Sequence, residues 1–178
     1  MIESPTGSGK TFMGLNAAQD YKDATGTNPI VVWVAMRQHL LHQVVIEKVK
    51  FGLDIDIRPL SMFNEQGRIA LAAEIAESGR EVILVLDEAQ HDAATTMTDV
   101  YQAIKPDYVL GLSATPFRVD KAKLCFEKQI RDAGIHRLIS DGYLSKFDLH
   151  MIDEYTPEKV ANCYLAEPDK WGNRSSIS

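Results

Sequence analysis

Ser4-Pro5-Thr6-Gly7-Ser8-Gly9-Lys10-Thr11 stands almost at the start of the chain, and the fold is read outward from it. A run of small residues that opens a helix lets backbone N–H groups point at a polyphosphate, and the helix N-terminus adds positive potential. Gly7 and Gly9 allow the tight turn. Lys10 then reaches the β- and γ-phosphates as a point charge, and the Thr11 hydroxyl ligates Mg2+. Pro5, Thr6 and Ser8 complete the loop. Ser4 stands where the general motif has Gly, a small substitution that keeps the loop compact. Gly-Lys-Thr alone would fit any Gly/Ser turn before a helix; the intact run from Thr6 to Thr11, in a strand-to-helix context, argues for the phosphate site. Only Met1, Ile2 and Glu3 are left to feed the loop, against about 5 residues in an ordinary strand. The N-terminal end is therefore expected to be truncated.

Continuous apolar runs follow at Ile30 to Met36, Val82 to Leu86 and Tyr108 to Leu112. Such runs predict strands covered on both faces, the mark of a parallel sheet flanked by helices. A weaker strand is predicted at Asp56 to Met62, and its Pro59 argues for an edge position. Helix-period segments lie between, at Lys10 to Tyr21, His39 to Val49, Gly67 to Ser78 and Val119 to Ala133, the last closed by Gly134. Alternating strand and helix predict an α/β three-layer sandwich with a mainly parallel sheet built from right-handed crossovers. After Gly142, Phe147, Leu149 and Met151 alternate with polar residues as in a half-exposed strand. A helix capped by Thr156 and Pro157 and a polar, linker-like tail then end the chain.

Two more segments carry chemistry. Asp87 and Glu88 sit at the carboxyl end of a buried strand, the edge where open α/β sheets bind ligands. Asp87 is placed to hold Mg2+, and Glu88 to orient or deprotonate an attacking water. An acidic pair at a strand end is as often a solvated turn, so the pair gains its meaning from the loop. Leu112-Ser113-Ala114-Thr115-Pro116 brings two hydroxyls to the end of the next strand, and by itself it is an ordinary turn.

Taken in this order, Pro5 to Thr11, Asp87-Glu88-Ala89-Gln90 and Ser113 to Pro116 closely resemble motifs I, II and III of superfamily 2 helicases and translocases of the DEAD/DEAH-box type. The resemblance implies a RecA-like P-loop NTPase domain over residues 1–155, with residues 156–178 leading towards a second RecA-like domain that the chain lacks. It implies ATP and Mg2+ as cofactors, and DNA or RNA, single strand or duplex, as partner. Lys10, Asp87 and Glu88 would be catalytic, with Thr11 and Asp87 at the metal. Gln90, Ser113 and Thr115 would couple nucleotide state to nucleic acid. Trp33 to Gln43 is similar to motif Ia, which touches the backbone of a bound strand, with Arg37 and Gln43 as its contacts. Ser61 and Met62 match the following contact segment loosely. Arg118 fits a structural ion pair. Gln90 replaces the family's Asp or His, which leaves the subgroup open.

A net charge of −6 counts against a broad basic face for gripping nucleic acid. Residues 51–100 hold three basic and ten acidic side chains, so any contact must be local. Cys125 and Cys163 match no metal spacing and form no disulfide framework. The first residues have no leader-like pattern and no stretch approaches the ~20 apolar residues of a membrane span. A cytoplasmic place is expected, in a bacterial or phage-infected cell by the compact motif spacing. Beside the helicase reading stand the ATPase motor of a restriction or remodelling complex and a nucleotide-binding fragment without independent turnover. A P-loop kinase would leave Ser113 to Pro116 unexplained.

Overall fold

Ile30–Ala35 (β2), Val82–Asp87 (β4) and Tyr108–Ser113 (β5) are strands where the sequence has its apolar runs. A computed structural model of the chain describes residues 1–89, 95–115, 126–131 and 134–146. The remaining elements are Ile2–Glu3 (β1), Lys10–Thr25 (α1), Gln38–Lys50 (α2), Asp56–Ser61 (β3), Glu65–Ser78 (α3), Thr95–Ile104 (α4), Ile130–Arg131 (β6) and Ile135–Ser140 (α5). Six strands form one sheet in the order β3-β2-β4-β5-β1-β6, and each neighbouring pair is parallel. The predicted α/β class and parallel sheet are thus observed, with Pro59 on the edge strand β3.

Alternation along β2 explains the layers. Val31, Trp33 and Ala35 face Leu15 and Ala18 of α1 and Leu41 and Val44 of α2, whereas Ile30, Val32 and Val34 share a core with Ile75 of α3 and Met97, Val100 and Ile104 of α4. Both faces of the strand are therefore covered, and a fully buried large apolar side chain there contributes about 1.5–3 kcal/mol. Helix α1 comes unusually close to the sheet. A Cβ at Gly14 would lie 2.8 Å from Trp33 and 2.9 Å from Leu112, so only glycine permits this approach. Short β1 is held on both sides: the Ser4 amide donates to the Ser113 carbonyl (3.0 Å), and the Ile130 amide to the Met1 carbonyl (2.8 Å).

One prediction is corrected. Residues at the end of the segment read as a helix from Val119 to Ala133 form β6, pairing Ile130 with Ile2 and Arg131 with Glu3. Gly134 does not close that helix; in extended conformation it precedes α5. The backbone here satisfies its groups against β1 rather than within a helix. The chain divides into Met1–Ser145 and Lys146–Ser178. The strand read at Phe147 to Met151, the Thr156 helix, the tail and the boundary at 155 lie outside the described residues, as do Gln90, His91, Arg118, Cys125 and Cys163. Among the described residues, no helix is long and apolar enough to cross a membrane.

Candidate phosphate-binding and catalytic site

Gly7 (φ 81°) and Gly9 (φ 87°) both occupy the left-handed region, which turns the chain abruptly into α1. The first i−4 bond of the helix runs from the Met13 amide to the Gly9 carbonyl (3.0 Å), and no side chain caps the N-terminus. The amides of the opening turn are thus left for a ligand. Ser4 has more than a tolerated role. It is buried, and its hydroxyl donates to Ser8 Oγ at 2.6 Å, tying the start of the loop to its middle. Lys10 Nζ donates to the Pro5 carbonyl across the loop (3.2 Å). A methyl group at Gly7 would stand 3.2 Å from Leu144 Cδ2, so a residue after α5 closes over the turn.

Parallel order brings the other segments to the same carboxyl edge. Asp87, last in β4, is level with Leu112 of β5, and Ser113 is level with Glu3 of β1. Burial pushes the Asp87 carboxyl above its ordinary value, the charges of Glu88 and Glu47 push the same way, and the Glu88 N–H and the Lys10 ammonium oppose them. A carboxylate so placed is stabilised by a cation. Asp87 Oδ1 accepts the Glu88 amide at 3.0 Å, and Glu88 has φ 57°. That conformation costs a non-glycine residue about 1–3 kcal/mol and is concentrated at functional positions. Ser113 is fully buried, and its Oγ accepts the Thr115 amide at 3.1 Å, fixing the turn after β5. Thr115 is exposed.

The remaining candidates are spread more widely. Arg37 is exposed in extended conformation just before α2, at the same sheet edge. Gln43, in α2, is exposed and donates to Glu47 Oε1 at 2.7 Å. Met62 is only 3 % exposed and its amide donates to the Ala35 carbonyl, so it is core and makes no surface contact. Positive-φ Glu88, the Ser4–Ser8 bond and Leu144 went unread in the sequence. Spacing gives no sign of a non-glycine residue in a left-handed conformation, nor of a contact between residues so far apart in the chain.

The loop's left-handed glycines, its uncapped helix, and a half-buried acidic strand end within electrostatic reach of Lys10 suit a nucleoside triphosphate with a divalent cation. A phosphate-type cradle on the carboxyl edge of an all-parallel, helix-flanked sheet defines the class: a RecA-like α/β domain. No model of a known protein family matches the chain. In sequence it is similar to a "51.5 kDa protein" of Lactococcus phage (isolate 7-9), 23% identical over 163 residues, which are 90% of this chain and 34% of the phage protein. In structure it is similar to a nuclease-deletion mutant of the Type ISP restriction-modification enzyme LlaGI, solved in complex with a DNA substrate mimic. That likeness has a TM-score of 0.59 and 11% identity, over 91% of this chain and 19% of the enzyme. It is a likeness of fold. The chain spans about a third of the phage protein's length and about a fifth of the restriction enzyme's.

Proposed function

We propose that the chain is the ATP-binding domain of an ATP-dependent nucleic-acid motor, a helicase or translocase of the DEAD/DEAH-box-like kind. One observation carries the reading: strand order brings the loop after β1, Asp87-Glu88 at the end of β4 and Ser113–Thr115 at the end of β5 along one sheet edge. Pro5 to Thr11 hold the triphosphate through backbone amides and Lys10, and Thr11 with Asp87 hold Mg2+. The cation, when bound, neutralises charge on the β- and γ-phosphates. Glu88 orients the attacking water and takes its proton. Ser113, Thr115 and Gln90 relay nucleotide state, and Arg37 and Gln43 meet the nucleic-acid backbone. A second RecA-like domain would supply arginines that stabilise charge on the transferring phosphoryl group, and such a group is worth ~10³–10⁵ in rate.

The likeness to a restriction-modification enzyme solved with a DNA substrate mimic favours DNA over RNA as the partner. The test is ATPase activity of the chain joined to a RecA-like second domain, with and without DNA. Lys10→Ala and Glu88→Gln should each lower turnover by roughly 10²–10⁴. Undiminished turnover in either variant would sink the assignment. The isolated chain should hydrolyse ATP negligibly, with DNA or without it.

A further inference from the structure

Opposite the carboxylates, the phosphate loop borders a cleft of about 370 Å³ whose walls include Glu3, Pro5, Thr6, Thr115, Arg131 and Ile135. We infer that this cleft takes the base of the bound nucleotide, and that the Glu3–Arg131 pair and Ile135 select an amino-bearing base, adenine over uracil. The inference rests on the nucleotide reading of the loop. Direction comes from strand order. Asp87 and Glu88 lie on the β4 side of β1, with β5 between, and β6 lies on the other side. A triphosphate whose terminal, metal-bound end faces β4 sends its nucleoside end towards β6, where the cleft opens.

Size and chemistry agree with that direction. The volume is at the low end of small-molecule sites, as suits one heterocycle with part of a sugar. Glu3 accepts Arg131 Nε (2.8 Å) and Gln129 Nε2 (2.5 Å) through the same oxygen, Oε2. Among the described residues, Glu3 Oε1 and both terminal nitrogens of Arg131 have no other partner. A carboxylate acceptor and a guanidinium donor are thereby fixed side by side. Adenine offers the complement, an amino donor at N6 beside a ring-nitrogen acceptor. Ile135, 47% exposed at the start of α5, and Pro5 supply apolar surface for the ring faces.

Calorimetric titration of the full chain with Mg2+-ATP, Mg2+-UTP and Mg2+-tripolyphosphate separates base from phosphate. The wild type should prefer ATP over both of the others. Arg131→Met and Ile135→Ser should each weaken ATP binding by roughly tenfold while leaving tripolyphosphate within about twofold. Ile135 is exposed enough that its variant tests the cleft without threatening the fold. Equal wild-type affinity for ATP and tripolyphosphate, unchanged ATP binding in both variants, or parallel loss of both ligands would overturn the inference and leave the phosphate site standing. Tripolyphosphate binding that is absent, or unaffected by Lys10→Ala, would instead overturn the reading on which it rests.

Discussion

Asp56 on the edge strand accepts Arg58 Nε at 2.9 Å and Arg80 Nη1 at 2.7 Å, and Arg80 also donates to the Asn28 and Pro29 carbonyls. Burial draws the Asp56 carboxyl upward, but the two guanidinium groups outweigh it and hold it below its ordinary 3.8. A group lowered in this way contributes stability above its unfolded value and loses it as pH falls through the folded one. Arg80→Met should therefore cost about 1–2 kcal/mol at pH 7 by urea denaturation. Its difference from wild type should narrow below pH 4 without vanishing, since the bonds to the two carbonyls do not titrate. Lys105, with φ 49° just past α4, invites the opposite change. Lys105→Gly should raise stability by about 0.5–1 kcal/mol, seen as a higher urea midpoint at unchanged slope. Single residues were legible where chemistry is local: Gly7, Gly9 and Lys10 carry their roles in their side chains or lack of one. In the sequence Ser4 is only a small replacement for Gly, because its partner Ser8 becomes visible once the turn is folded.

Helix α1 shows what decides at the scale of an element. Alanine forms helices better than glycine by about 1 kcal/mol, yet at Gly14 the added methyl would press on Trp33 and Leu112. Gly14→Ala should thus destabilise by about 1–3 kcal/mol, overpacking exceeding propensity. Because α1 carries the loop at its N-terminus, the same variant should weaken tripolyphosphate binding; full stability with intact binding would contradict the close packing. The central strands were legible because both of their faces are apolar. Helix α4 passed unread although Met97, Val100 and Ile104 repeat at helical spacing, since Thr95, Thr96 and Thr98 dilute the signal. Strand β6 is two residues long, too short to show alternation, and its identity depends on β1, far away in the sequence.

For the whole molecule, pairing across the sheet sets a gradient of stability. Strands β2 and β4 are flanked on both sides by six-residue strands or each other, and their apolar side chains are almost wholly buried. Hydrogen exchange should be slowest at amides of Val32, Trp33 and Val85, approaching the global unfolding limit, and faster at Ser4 and Ile130, which hold a two-residue strand. Equal protection at both places would argue against this gradient. The position of β1 between β5 and β6 has a further consequence during synthesis. The Ser4 amide finds its acceptor in Ser113, which the ribosome adds more than a hundred residues later. At ~5–20 residues per second that is a wait on the order of ten seconds. The loop is thus made well before the strand that docks it. Nucleotide cannot help the nascent chain to fold until β5 has emerged, and after that it acts as a latch on an already formed sheet.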